Sequence, residues 1–183
     1  MSGHKLFRTA GWCALASAVL MVAAMVSFFI AGLVGGILEI ISLLLLIFVF
    51  YALYIAHRTE SKGLSLAGLI LLIAAIGVDI VSMANYGNIT LSNLWYLLLS
   101  LPFLIFGFLA FRSQRMPRGL AVVALLAGVT FFIAGVVGLL GSPDMADNIS
   151  LLSILLMLVW LVWLWRVFLS EKMTTSIPEA VTA

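Results

Sequence analysis

The sequence predicts an all-α protein, a bundle of six transmembrane helices with both termini on the cytoplasmic side. Three observations lead to this fold class. Hydrophobic residues make up 65% of the 183 residues and charged residues only 9%, whereas a soluble domain has about 45–50% apolar and about 25% charged residues. The apolar residues are gathered in six long stretches, and the lysines and arginines lie between them. A soluble fold of this size has too much surface to hide so many apolar side chains.

Each apolar stretch is long enough to cross a bilayer. A helix needs about 20 residues to span roughly 30 Å of hydrocarbon. The predicted spans cover residues 9–32, 36–56, 64–84, 94–111, 119–140 and 149–168. We expect them to form a single domain over residues 1–173, followed by a flexible tail at 174–183.

Turn-forming residues separate the spans, since Gly, Pro, Asn and Asp favour turns and helix ends. The predicted breaks are Gly35-Gly36, the polar loop 57–63, residues 86–88, residues 112–118 with Pro117 opening the fifth helix, and residues 141–144. Asp147 or Asn148 is the predicted N-cap of the sixth helix.

The positive charges predict the orientation. If the N-terminus is cytoplasmic, every lysine and arginine falls on the inner side, as the positive-inside rule requires. The nine residues are Lys5, Arg8, Arg58, Lys62, Arg112, Arg115, Arg118, Arg166 and Lys172. The net charge of +2 is too small to suggest a nucleic-acid partner. The expected location is therefore the inner membrane of a bacterium, with both termini inside.

Two carboxylates within the spans, Glu39 and Asp79, are the main candidates for a ligand or ion site. Ionisable residues inside a membrane are costly and are functional candidates by default. The predicted spans place Glu39 in the first turn of its helix, and the two side chains about 5 and 8 Å below the outer edge. Ser42 and Ser82 each follow one carboxylate by three residues on the same helix face, and Asn85 extends the second stripe.

These five residues predict a small, outward-facing acidic pocket. Two nearby carboxylates without a counter-charge do not both stay ionised, so the pocket suits a proton, a cation or an amine. The alternative is that both acids are ordinary helix-end residues within reach of water. Asp79 is the stronger candidate, because it lies deeper and near a helix C-terminus, where the dipole disfavours a negative charge.

Small residues predict where helices approach one another closely. Gly32 and Gly36 are four residues apart, and Gly128 and Gly135 are seven apart, so each pair occupies one helix face. We expect these four glycines to lie at helix–helix contacts.

The sequence offers no residues for an enzyme or a cofactor. The single cysteine, Cys13, excludes an internal disulfide and a cysteine-based zinc site. Both histidines, His4 and His57, lie outside the apolar stretches, which argues against haem ligation within the membrane. No nucleophile motif, metalloprotease motif or phosphate loop is present. We therefore expect no catalytic residues, no metal and no cofactor.

One segment resembles a known group of proteins. Its features are Arg112-Ser113 at the end of a helix, Pro117-Arg118 in the following loop, and Ala127-Gly128 in the next helix. This pattern is similar to that of a bacterial family of six-helix integral membrane proteins with no assigned function. The resemblance implies an inner-membrane protein of the same topology.

Three functions remain open at this point. One, a membrane enzyme that acts on lipid, has no constellation of residues behind it. The other two have sequence features in their favour. The first is a non-enzymatic accessory or stabilising subunit, whose partners are the lipid bilayer and a second membrane protein or further copies of itself. Short loops and glycine-lined helix faces favour it. The second is a small transporter or substrate-binding subunit that uses the pocket of Glu39 and Asp79. Its length and helix count are similar to those of the substrate-binding subunits of vitamin transporters.

Overall fold

The described residues form six helices, all long and apolar enough to cross a bilayer, which is the architecture of a multi-pass membrane protein. A computed structural model describes residues 3–28, 30–85, 88–113 and 116–170. The helices are α1 (Gly3–Phe28), α2 (Gly32–His57), α3 (Lys62–Ala84), α4 (Ile89–Arg112), α5 (Arg118–Leu139) and α6 (Pro143–Leu169). The expected tail at 174–183 lies outside the described residues. Every helix carries exposed large apolar side chains, as a lipid-facing surface requires.

All six described helices begin earlier than the apolar stretches predict. α1 and α6 start six residues before the predicted spans, α4 five, α2 four, α3 two and α5 one. Backbone groups near lipid must be paired within the helix, so a helix begins further out, at a residue that can satisfy or replace its first free N–H groups. Asn88 does so for α4, its side chain accepting from the Leu91 N–H at 3.2 Å. Pro143 is the first residue of α6, where its missing N–H costs nothing.

Two predicted boundary features are therefore wrong. Gly35 and Gly36 lie inside α2 rather than in a turn. Gly35 instead makes room for the ring of Phe28, since a β-carbon at 35 would lie 2.8 Å from the Phe28 Cγ. Asp147 and Asn148 lie inside α6, where the Asn148 amide donates to the Asp144 carbonyl at 2.9 Å.

The chain divides into two compact units, residues 1–56 with 161–183 and residues 57–160. In the first unit α1 packs against α2 and against the C-terminal part of α6. The rings of Phe7 and Phe168 lie 5.5 Å apart and those of Trp12 and Trp165 lie 6.1 Å apart. Gly11 allows the α1–α6 approach, because a β-carbon there would lie 3.2 Å from the Phe168 Cβ.

In the second unit α4 is the central helix and packs against both α3 and α5. Phe103 of α4 is the centre of an aromatic core. Its ring centroid lies 6.1 Å from that of Phe131 in α5 and 5.0 Å from that of Trp160 in α6. Edge-on and tilted pairs of this kind add to the stabilisation from burial.

Candidate functional site

Glu39 lies deeper in its helix than the sequence predicts. α2 begins at Gly32, so Glu39 is seven residues, about 10 Å, from the start of the helix. The expectation that it occupies the first turn is wrong, and the helix dipole, which acts over that turn, does not explain its position. The side chain is half-buried. Among the described residues, no hydrogen bond or ion pair engages the Glu39 carboxylate.

Ser42 does not present its hydroxyl to a pocket beside Glu39. It is fully buried and faces Ser17 of α1. The Ser42 Oγ donates to the Ser17 carbonyl at 2.9 Å, and the Ser17 Oγ lies 3.0 Å from both the Ser42 carbonyl and the Ser42 Oγ. This reciprocal pair joins α1 to α2. Interhelical serine bonds of this kind act as polar contacts between membrane helices.

Asp79 is a buried carboxylate in the second unit. It lies in α3, five residues before Ala84 at the helix end, and only 6% of its surface is exposed. Burying an ionisable group within a membrane span is costly, so its presence needs a physical reason. Glu39 belongs to the first unit and Asp79 to the second, so each carboxylate is described within its own surroundings.

Ser82 and Asn85 both serve local structure near the end of α3. The Ser82 Oγ lies 3.0 Å from the Ser92 Oγ and so joins α3 to α4. Asn85 is the C-cap of α3 and is exposed, and its amide donates to the Val81 carbonyl at 2.8 Å. Both serines that the sequence offered as pocket hydroxyls therefore link helices within their own unit.

The four candidate packing glycines fall into two kinds. A β-carbon at Gly128 would lie 2.8 Å from the Leu104 Cγ, and one at Gly135 would lie 2.9 Å from the Asn93 carbonyl oxygen. Both glycines of α5 thus lie where α4 approaches most closely. At Gly32 and Gly36 of α2 no described atom lies within 4 Å of the same position. This second pair leaves open space beside the helix.

Two further polar residues of this unit were not among the candidates. Asn93 is 4% exposed and its side chain packs on Gly138 of α5. Within the described ranges, its Nδ2 and the Nε1 of Trp95 find no hydrogen-bond acceptor. An amide directly before the fourth apolar stretch is the sequence signal that would have found Asn93.

His57 is also placed differently from the expectation of a polar loop. It is the last residue of α2 and is fully buried. Its Nδ1 lies 3.2 Å from the Glu60 Oε2, and its ring centroid lies 6.4 Å from that of Phe106 on α4. The Phe106 ring and the Glu60 carboxylate together offset the cost of burying the imidazole. α2 therefore continues to His57 instead of ending in a polar loop.

The polar groups that the structure describes do not gather into a metal-binding set. Across the part of the chain that the structure describes, no group of three or more His, Cys, Asp or Glu side chains is placed to hold a metal ion.

Comparison with known proteins adds no relative. No protein-family model, curated protein or solved structure matches this chain. We therefore infer the function from the residues themselves.

Proposed function

We propose that the chain is a non-enzymatic membrane protein that acts as an accessory or stabilising subunit for a second membrane protein. The observation that carries this proposal is the open face near the start of α2. Gly32, Gly36 and Glu39 project from the helix within about 60° of one another. No described atom lies within 4 Å of a β-carbon built at either glycine.

The same face of α2 is closed further along the helix. Leu43, which projects in nearly the same direction as Gly36, is 1% exposed. A helix face that is buried along one part and open along the next offers a surface against which another helix can pack. Glycines four residues apart let two helix backbones approach closely, which is how many membrane helices associate.

Glu39 adds a chemical requirement for the partner. A carboxylate at this depth is stabilised by a hydrogen-bond donor or a positive charge, and none is provided by the described residues. We therefore propose a partner transmembrane helix that carries small residues and one donor, an amide, hydroxyl or basic group, opposite Glu39. Ser17 with Ser42, and Ser82 with Ser92, support this mode of action, because they already link helices within this chain in the same way.

The distribution of charge supports a membrane and an orientation. We propose that the protein lies in the inner membrane of a bacterium with both termini in the cytoplasm. We further propose that it is a member of the six-helix family that the segment around Arg112-Ser113 resembles. Every lysine and arginine then lies on the cytoplasmic side, as the positive-inside rule predicts.

The test is native mass spectrometry of the protein, mildly solubilised from its own membranes, with a matched pair of variants. Gly36→Leu fills the open face of α2, whereas Gly77→Leu fills an equally open position on α3. We expect a partner, or a second copy of the chain, at fixed stoichiometry in the wild type and in Gly77→Leu, and its loss in Gly36→Leu. A monomer in all three, or loss in both variants, would contradict the proposal.

A second candidate function is favoured by the burial of Asp79. A carboxylate that is 6% exposed within a membrane span is typical of proton and cation pathways. On this proposal the protein is a small transporter or substrate-binding subunit for a proton, a cation or an amine. Asp79→Asn keeps the shape and removes the charge, so binding or transport should be lost while the protein stays folded. Unchanged ligand binding in that variant would remove Asp79 from the proposal.

A further inference from the structure

Two contacts define how α3 and α4 run beside each other. A β-carbon at Gly68 of α3 would lie 2.6 Å from the Phe106 ring of α4. The Ser82 Oγ of α3 lies 3.0 Å from the Ser92 Oγ of α4. Ser82 follows Gly68 by fourteen residues, and Ser92 precedes Phe106 by the same number. Since both helices rise equally per residue, they keep one antiparallel register along this length.

This register places Trp95 of α4 opposite Asp79 of α3. Asp79 follows Gly68 by eleven residues, and Trp95 precedes Phe106 by eleven. Eleven residues make three helical turns with about 20° left over, so both side chains leave their helices on the sides that face each other. Asp79 is 6% and Trp95 8% exposed. The contact between α3 and α4 therefore encloses a carboxyl group and an indole at the same level.

The indole N–H of Trp95 needs an acceptor. Its Nε1 is buried and forms no hydrogen bond with any residue that the structure describes. A buried donor left in this way costs about 1–3 kcal/mol. A water molecule can accept from the indole and donate to the carboxylate opposite, and buried waters typically serve such polar groups.

The space between α3 and α4 admits only a small occupant. The hydroxyls of Ser82 and Ser92 lie 3.0 Å apart one turn nearer the helix ends. The Trp95 ring packs 4.9 Å from that of Tyr96 and 6.3 Å from that of Phe131. An organic ammonium ion needs a wider opening than these contacts leave.

The donors at this level disfavour a metal ion as well. The indole N–H is a donor only and has no lone pair for a cation. Within the described ranges, Asp79 belongs to no group of three or more His, Cys, Asp or Glu side chains placed to hold a metal. A proton requires no such set of ligands.

The charged and titratable groups of the neighbouring helices are distributed unevenly. Lys62, Arg112 and Arg118 of α3, α4 and α5 lie at the helix ends far from Asp79. At the level of Asp79, α4 contributes Tyr96, whose ring stacks on Phe131 of α5. Asp144 and Asp147 of α6 are exposed at the start of that helix. Binding a proton removes the charge from a carboxyl group that α3 and α4 enclose.

A line of polar residues leads to Asp79 from one end of α3. Asn85, Ser82 and Asp79 follow one another at intervals of three residues, and they are exposed, half-buried and buried in that order. In the other direction the contact is apolar, since Leu72 of α3 and Leu99 of α4 are both 0% exposed. Access to Asp79 is thus from the Asn85 end alone among the described residues.

We propose that Asp79 binds a proton, with a water molecule that accepts from the Trp95 N–H and donates to the carboxylate, and that the proton enters from the Asn85 end past Ser82 and Ser92. This inference rests on the second candidate function proposed above and selects the proton among its three ligands. On uptake the water transfers a proton to a carboxylate oxygen, forming an O–H bond there. The water regains a proton from solvent through the two serine hydroxyls, and release reverses both steps.

The test is infrared difference spectroscopy of the purified full-length protein in detergent, between acidic and alkaline buffer. We expect a C=O band of a protonated carboxyl group that is absent from Asp79→Asn. Trp95→Phe keeps an aromatic ring and removes the N–H, so it should shift the frequency of that band. Trp163→Phe, at an exposed position of α6, is the matched control and should leave the band unchanged.

The entry route is tested by the rate at which the same band moves in heavy water. Ser82→Ala removes a hydroxyl on the route and should slow hydrogen–deuterium exchange of the Asp79 carboxyl group. Ser100→Ala removes a buried hydroxyl that donates to the Leu97 carbonyl of its own helix at 2.6 Å, and it should leave the rate unchanged. Circular dichroism verifies that each variant is folded.

Sodium and methylammonium ions are the competing probes, and neither should abolish the Asp79 band. Loss of the band with either probe would overturn the proton as the ligand and leave Asp79 as a cation or amine site. The absence of any band that depends on Asp79 would also overturn the proposal, and the additional absence of probe binding would contradict the transporter function itself. A band unchanged in Trp95→Phe would exclude the bridging water, and an exchange rate unchanged in Ser82→Ala would exclude the route.

Discussion

Replacing Gly135 by alanine tests the contact between α4 and α5 directly. A β-carbon at this position would lie 2.9 Å from the backbone carbonyl oxygen of Asn93 and 2.6 Å from the Leu97 Cγ. A carbon and a carbonyl oxygen normally rest at about 3.4 Å. The two helices must therefore separate by roughly 0.5 Å, because the backbone oxygen, unlike a side chain, has no alternative rotamer.

The magnitude follows from what that separation does to neighbouring contacts. A gap of 0.5 Å already loses about a quarter of the dispersion energy of each contact it opens. Overpacking a tight core typically costs about 1–3 kcal/mol. Replacing glycine by alanine within a helix also stabilises that helix by up to about 1 kcal/mol. Gly77→Ala, at a position with no described atom within 4 Å, measures this second effect alone.

The assay is equilibrium unfolding in mixed micelles with increasing dodecyl sulfate, followed by the fluorescence of the five tryptophans. We expect Gly135→Ala to be less stable than Gly77→Ala by at least about 1 kcal/mol. Adding Leu97→Ala removes one of the two close contacts and should recover only part of the loss. Equal stability of Gly135→Ala and Gly77→Ala, or full recovery with Leu97→Ala, would refute the backbone contact as the cause.

Three further predictions use the same unfolding assay. Ser42→Ala should cost about 1 kcal/mol, since interhelical hydrogen bonds contribute about 0.6 kcal/mol each on average. Ser153→Ala, whose hydroxyl bonds to the Ile149 carbonyl of its own helix, should cost clearly less, and equal losses would count against the α1–α2 link. Gly68→Ala should cost about 1–3 kcal/mol, because its β-carbon would lie 2.6 Å from Phe106, and a stability equal to wild type would argue against close α3–α4 packing. Glu39→Gln should not lower stability, because it neutralises a carboxylate with no described partner, yet it should weaken capture of a partner subunit; a large loss of stability would instead indicate a structural role.

The six helices were predictable from sequence, because hydropathy over some 20 residues depends on composition and not on tertiary contacts. The first residue of each helix was less predictable from the sequence. The apolar stretch before residue 36 ends in glycines, and the prediction took them for a turn, whereas the helix begins at Gly32. Only the position of the Phe28 ring shows that Gly35 is needed inside the helix.

The candidate site was predictable in its residue types but not in its contacts. The spacing of Glu39 and Ser42 places them on neighbouring parts of one helix face. The sequence does not say which helix that face meets, since helix rotation is decided by packing. Ser17, the actual partner of Ser42, lies 25 residues away in a different helix. His57 shows the same limit, because its burial depends on Phe106, which is 49 positions further along the chain.

The glycines between α4 and α5 also have a consequence for assembly. Glycine has no side-chain torsions to immobilise, so bringing these two helices together loses little conformational entropy. Four residues connect α3 to α4 and five connect α4 to α5, so the entropic cost of closing either hairpin is small and the closer, glycine-lined contact favours α4 with α5. Membrane helices form individually and associate afterwards. We therefore expect α4 and α5 to be the first helices to pair after insertion, leaving the opposite face of α4 as the template on which α3 then docks.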